Sequence, residues 1–491
     1  MTLEEILAMP EVERKIYYLK KGRKTEQPNA HALYNDWNPN KHEIVIDEEK
    51  YPKIKITTKP EERMTDPTTG KEYVEPAVKK EVEPNRIALP IEQDIVNIQT
   101  AFTVGTEPVL DCQPDQSEES LLSALKQVFK KNKLKYQNKK VVRAWLAEQE
   151  VAEYWYVVKD DGFWAKLKRK VADIFGKSRP EYRLKSAIWS PFRGDKLYPF
   201  FNDQGDLVAL SREYKKKDLD DVEITCFMTI TKDKVYQWEL TGNWAYNGSF
   251  THGFKKLPVI YMYRSESYCE KIKSLRVRLE KLLSNYADCI DYHFFPILML
   301  FGDVQNFSGE FKNRVVELTG QGANAQYLTW SQVPDTVKFE VETLLSQIYG
   351  LTNTPRISFD SLKGSGNAVS GVAFDYVFMS THLNVENLNE TVGEFMQRRV
   401  NFLVSALGSV NTTLESASET IDVDVQMQPY RLENLSEKID TAIKAKDGEI
   451  WSQKRAITFV GNVDAVAEEI AAIKEEQAEK QKTAINKQNV A

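Results

Sequence analysis

The sequence predicts an α+β protein in which a strand-rich first half gives way to long helices. Two observations carry this. Between 150 and 262, short runs of β-branched and aromatic residues recur, from EVAEYWYVVKDDG (150–162) through YRLKSAIWS, LVALSREYKKK and VEITCFMTITKDKVYQWELTG to KLPVIYMYR. After 265 the period changes. Tyr268, Ile272, Leu275, Leu279, Leu282, Tyr286, Ile290 and Phe294 follow one another at steps of three and four, with no Gly or Pro before Pro296. At about 1.5 Å per residue this helix is on the order of 40 Å long. The chain has 491 residues, 42% hydrophobic and 28% charged, enough for about two to four domain-sized units with buried cores.

The remaining elements follow in order. Residues 1–20 predict one short amphipathic helix. From 36 to 85 the chain is rich in Lys, Glu and Pro, with DPTTGK (66–71) turning between KIKITT and KEYVEPAV; this predicts an extended arm or loose hairpin that adds nothing to a core. Ile91, Ile95, Ile98 and Phe102 mark a helical face that Gly105 closes. A second helix is predicted over 118–149. Beyond the long helix, 297–333 is a short glycine-containing section, and DTVKFEVETLLSQIYGL (335–351) predicts a helix presenting Val337, Val341, Leu344 and Ile348. A third long helix runs from Ser370 to about Leu407. A small α-rich region follows, ending in the alternating-charge segment 463–482. Two long helices joined through a small lobe make a stalk whose apolar stripe needs neighbouring copies to cover it, so the pattern itself points to a homo-oligomer.

Composition narrows the chemistry. A net charge of −6 does not suit a conventional DNA binder, which is basic on one face. The four cysteines, at 112, 226, 269 and 289, show no CxxC and no histidine pair at ligand spacing, which predicts free thiols in a reducing compartment. The acidic N-terminus lacks the pattern of a signal peptide, and the longest apolar stretch, FFPILMLF (294–301), is far short of a membrane span; a soluble protein with no membrane partner is expected. The five histidines sit in no metal or triad signature, and neither HExxH nor GxSxG occurs, so no catalytic, metal or cofactor site is assigned.

Residues 359–378, FDSLKGSGNAVSGVAFDYVF, hold Gly364, Gly366 and Gly371 beside Lys363, Ser365, Asn367 and Ser370. A P-loop needs its lysine directly after the last glycine and a buried strand before it. Here Lys363 precedes the first glycine, TPRISFDSL is not an apolar strand, and the spacing misses the dinucleotide fingerprint too. A nucleotide-dependent enzyme using 364–371 as an anion loop is therefore an alternative without a motif, as is a cytosolic helical scaffold protein. What remains is a glycine-loosened segment with a lysine at its tip and Ser370 as an N-cap. The basic runs 126–143 and 163–179 read as a solvated helix face and a solvated insertion before they read as nucleic-acid or membrane patches. Lys271, Lys273, Arg276, Arg278 and Lys281 on the long helix fit either contact with DNA or pairing with Glu270, Glu280 and neighbouring chains.

The ordered set of segments resembles the portal (head–tail connector) proteins of tailed bacteriophages. The resemblance rests on NRIALPIEQDIVNIQTAFTVGTEPVL, with Leu89 where an asparagine is usual; on EVAEYWYVVKDDG; on KLPVIYMYRSE; on the helix and apolar segment at 265–302; on DTVKFEVETLLSQIYGLTNTP; and on GSGNAVSGVAFDYVF. It covers about 85–480. It implies a portal fold: an N-terminal arm (1–84), an α/β wing (85–264), a stem helix (265–295), a small α/β clip (296–333), a returning stem helix (334–352), a tunnel loop (353–369), a long helix and wing return (370–430), and an α-helical crown with a C-terminal tail (431–491). It further implies a dodecameric ring at one capsid vertex of the virion, assembled in the host cytoplasm, without catalytic activity. Double-stranded DNA would pass through the central channel. The partners implied are the terminase large subunit, head-completion or adaptor and tail proteins, the major capsid protein and a scaffold. Lys363, Gly364, Ser365, Gly366, Asn367, Ser370 and Gly371 would meet the DNA, one lysine per copy giving a weak, exchangeable phosphate contact. Lys271, Arg278, Glu340 and Glu342 are the candidates for the channel wall along the stem.

Overall fold

The computed structural model describes the whole chain except residues 60, 66–71, 160–181, 218–219, 294–296, 308–315, 329–333, 357–377, 429, 431–434, 462–468, 477 and 480–491. It divides into two units, one of residues 1–354 and 384–429, the other of 355–383 and 430–491.

In the first unit the N-terminal helix expected over 1–20 is two helices, α1 (Leu3–Ala8) and α2 (Val12–Lys21). Pro10 falls between them, where its missing N–H and the restriction it places on Met9 end the first. Helices α3 (Ala30–Trp37) and α4 (Glu43–Ile46) follow. Here the expectation of a coreless arm over 36–85 is wrong in its first part: Asp36, His42 and Ile44 are buried. The remainder is the ribbon expected. Strands β1 (Ile54–Lys59) and β4 (Val78–Val82) pair antiparallel, as do β2 (Glu62–Thr65) and β3 (Glu72–Glu75).

Helix α5 (Ile91–Val104) ends at Gly105 as expected, although that glycine is right-handed and uses none of its special freedom. After β5 (Val109–Asp111), the single helix expected over 118–149 is broken into α6 (Glu119–Asn132) and α7 (Leu134–Glu148). Lys133 between them is left-handed, and Asn132 closes α6 by donating to the carbonyls of Val128 and Leu184. Strand β6 (Glu150–Lys159) then pairs with β7 (Tyr182–Trp189) and, on its other side, with β13 (Val259–Tyr263). A five-stranded antiparallel meander lies between β7 and β13 in sequence: β8 (Lys196–Phe201), β9 (Leu207–Lys217), β10 (Glu223–Thr231), β11 (Lys234–Thr241) and β12 (Asn243–Thr251), each bonded to the next. Strands β8 and β12 are additions to the sequence reading.

Helices α8 (Tyr268–His293) and α9 (Pro334–Leu351) follow as expected; between them the section read only as glycine-containing holds the strands β14 (Ile297–Phe307) and β15 (Val316–Leu328), paired antiparallel. Helix α10 is described over Met379–Val410, so its expected start at Ser370 lies outside the described residues. Helix α11 (Glu415–Thr420) and strand β16 (Asp424–Gln426), paired with β5, complete the unit.

The main core gathers α5, α6, α7 and β6 around α10, whose Val385, Leu388, Val392, Phe395, Met396, Val400 and Leu403 form one stripe. Arg399 lies on that stripe, 1% exposed, and is tolerated because Glu153 accepts from its Nε at 2.6 Å and Asn138 from a terminal nitrogen at 2.5 Å. A second cluster fills the space between the two sheets, and α1 and α2 cover the meander through Ile6, Ile16, Leu19, Phe227 and Trp238.

In the second unit α12 (Leu435–Asp447) and α13 (Gln453–Val460) pack together, Trp451 against Phe459 with ring centroids 4.8 Å apart. Residues 469–476 are helical; the rest of the 463–482 expectation is divided between residues 478–479, also helical, and positions outside the described residues.

Helix α10 meets α11 where Gly408 lies against Ser418. A Cβ at Gly408 would stand 2.1 Å from Ser418 Oγ and 2.7 Å from its Cβ. Gly408→Ala is expected to lower unfolding stability by about 1–3 kcal/mol through overpacking. Adding Ser418→Gly should recover part of the loss, measured by denaturant melts of both variants.

Candidate functional site

The site is the helix pair α8 and α9 with the charges that root it. Helix α8 starts with a reciprocal cap: Glu270 N–H donates to Ser267 Oγ at 3.1 Å, and the Glu270 carboxylate accepts from Ser267 N–H at 2.9 Å. The spacing S-x-x-E was legible in the sequence and was missed. Glu270 also accepts from Gln149 at 2.6 Å, and among the described residues it forms no ion pair with the lysines and arginines that follow it.

Of those basic residues, Arg276 is fully buried and contacts three carboxylates. Its terminal nitrogens donate to Glu280 at 3.0 Å and Asp36 at 2.9 Å, and its Nε forms a close ion pair with Glu92 at 2.5 Å. Burial opposes the Arg276 charge, but Glu92, Glu280 and Asp36 outweigh it and hold the guanidinium pKa above its ordinary value. Lys273 reaches the second oxygen of Asp36 at 3.0 Å. His42 faces Glu280 through Nδ1 at 2.6 Å, while its Nε2 donates to the Asp36 carbonyl at 3.0 Å. The cluster thus joins the N-terminal arm, α5 and α8. Arg276 is committed to it, which removes Arg276 from the residues able to meet DNA.

A strap reinforces the root. Residues 85–89 run along α8 in extended form, with backbone N–H groups of Asn85, Ile87 and Leu89 donating to Asp288 at 2.7 Å, Ser284 at 2.9 Å and Glu280 at 2.9 Å. Two residues of extended chain span about 6.6 Å and four of helix about 6.0 Å, so alternate strap donors meet successive helical turns. Asn85 also reaches Asp291 at 2.6 Å.

Farther along, α8 and α9 pack through Leu279, Leu344 and Ile348, which are buried. The structure brings together two of the four expected wall residues: Arg278 binds Glu340 at 2.6 and 2.8 Å, tying the helices across an exposed face. Lys271 is exposed near the start of α8 and Glu342 is exposed on α9. The glycine-loop residues Lys363, Gly364, Ser365, Gly366, Asn367, Ser370 and Gly371 lie outside the described residues, as does the basic insertion 163–179. Among the described residues no group of His, Cys, Asp and Glu is arranged to hold a metal ion, and no helix is long and apolar enough to cross a membrane.

Glu92 gives the root a pH dependence. Burial, only partly opposed by Arg276, raises its carboxyl from 4.5 to about 7. A carboxyl that binds its proton more tightly in the folded state contributes stability that falls as pH rises through that window. Glu92→Gln is expected to flatten the fall: its melting temperature should gain on wild type between pH 5 and pH 7. Parallel melting curves across that range would show that Glu92 ionises normally.

Residues 70–483 match the family described as phage portal protein, SPP1 Gp6-like. No curated protein matches the chain in sequence. Among solved structures, a chain from the "Neck of empty GTA particle computed with C6 symmetry" is similar, with 11% identity over 76% of this chain and 90% of that one and a TM-score of 0.43. That likeness is too slight to argue from. The family match spans most of the sequence, including the strap, the rooted helix pair and the glycine-rich segment, and so the chain belongs to the SPP1 Gp6-like family of phage portal proteins.

Proposed function

We propose that copies of this phage portal protein close into a ring, a dodecamer as the sequence resemblance implies, at one vertex of the virion capsid. Double-stranded DNA passes through the ring during packaging and ejection. The observation that carries this reading is the apolar surface that the helix pair leaves open. Phe339 on α9 is 73% exposed, Leu351 51% and Ile290 on α8 41%. Covering one such phenylalanine contributes about 1.5–3 kcal/mol, repeated at every interface of a closed ring.

In this reading α8 and α9 surround the channel. The Arg278–Glu340 pair is neutral as a unit, and Lys271 and Glu342 balance each other, so the wall neither holds nor strongly repels a moving polyanion. The segment 353–369 reaches into the bore, with Lys363 as its sparse positive contact. The 296–333 region docks the terminase large subunit during packaging and head-completion, adaptor and tail proteins afterwards. The wing meets the major capsid protein and scaffold. ATP hydrolysis belongs to the terminase, and this chain has a structural role without a cofactor.

Negative-stain images of purified protein are expected to show rings with a central hole, and Phe339→Asp to shift the population to smaller species in sedimentation. A monodisperse monomer at every concentration would exclude the ring. Deletion of 363–369 is expected to leave rings intact while lowering the DNA content of assembled particles; unchanged DNA filling would favour a scaffold without a DNA role.

A further inference from the structure

The basic run in α6 borders a groove that the channel function does not use. It measures about 590 Å³ and lies between α6, the β6–β7 pair and the C-terminal end of α10. Apolar side chains form much of its lining: Val128 from α6, Val157 from β6, Leu184 from β7, and Leu407, Val410 and Leu414 from α10 and the turn after it, with Gln127, Asn132, Arg183 and Asn411 among them. Val410 is 47% exposed within it, and Tyr182 at the mouth also 47%. Its size falls in the range of about 300–1,000 Å³ typical of concave binding sites.

The rim has one sign of charge. Lys131 and Lys185 line the groove, and Lys126 and Lys130 follow on the adjoining face of α6. All four are exposed, and none forms an ion pair among the described residues. Among the described residues that line the groove none is a carboxylate. In a chain of net charge −6 this is a local concentration of positive charge; elsewhere Lys50, Lys53, Lys215 and Lys255 each bind a carboxylate.

We propose that this groove is a docking surface for an acidic amphipathic helix of a partner protein, whose apolar face covers Leu407, Val410 and Leu414 while its carboxylates meet Lys131 and Lys185. Three observations select that occupant. Nucleic acid would satisfy the lysines but leave the apolar floor uncovered, since a duplex presents phosphates and no apolar ridge. An added β-strand is hindered because the Leu184 carbonyl on β7 already accepts from Asn132 at 3.1 Å. The linker 160–181, which follows β6 and precedes β7 in sequence, carries six Lys and Arg against four Asp and Glu, a net positive charge that disfavours it as the occupant.

The test uses the full-length protein and a fluorescein-labelled amphipathic peptide of about 20 residues, with leucines at helical spacing on one face and glutamates on the other. Fluorescence polarisation is expected to show saturable binding that weakens with salt. Lys131→Glu combined with Lys185→Glu, and separately Val410→Asp, should each weaken it by about tenfold or more. These positions are exposed, and circular dichroism should report unchanged secondary structure. The proposal is overturned if no binding appears, if either variant binds as wild type does, or if an oligoglutamate of equal charge or a DNA duplex of about 20 base pairs binds as tightly.

Discussion

A guanidinium that cannot give up its proton, placed out of reach of water, is the constraint around which the first unit is organised. Arg276 must have carboxylates beside it, because an unpaired charge at that depth costs several kcal/mol. Asp36, Glu92 and Glu280 meet that need from three separate elements, and in doing so they fix where the arm, α5 and α8 stand relative to one another. Hydrophobic burial alone would hold these pieces together without specifying their angles. The charges add direction, since each carboxylate approaches a different edge of one planar fork.

From that root the helix pair extends with a progressively thinner core. Near its base α8 is packed through buried Tyr268, Ile272 and Leu279; farther along, where the strap follows it from Glu280 to Asp291, Ile290 is exposed. The gradient from an over-determined base to a surface in need of neighbours is what a subunit of an assembly requires. In the ring proposed above, each copy folds its own body and other copies complete the rods.

Much of this was legible in the sequence, and the boundary of legibility has physical reasons. The helices of the pair were readable because amphipathic period is a local property, and the strands at 150–159, 182–189 and 259–263 because β-branched and aromatic runs are local too. Strand β8 was hidden by Pro199 and β12 by its Asn and Gly content. The break at Pro10 had a visible cause, whereas the one at Lys133 depends on Asn132 finding a carbonyl on β7. The five basic residues of 271–281 look alike as a run, yet the step 272–276–280 places Arg276 on the apolar side of the helix, a signal that was available. Its partner Asp36, 240 residues away, was not. The notion of a coreless arm failed for the same reason: Asp36 and His42 are buried by residues distant in sequence.

The strap has a property that follows from its stepping. Its three donors meet Glu280, Ser284 and Asp288, oxygen-bearing side chains repeating every fourth position along α8. A displacement by one helical turn would offer two of those donors an oxygen again, so the ladder tolerates slippage and does not by itself set how far the rod protrudes. That length is decided at the top rung, where Glu280 is shared with Arg276 and His42 and has no equivalent one turn away. The strap is therefore a toothed rack, and the buried charges around Arg276 are the pawl that fixes its position.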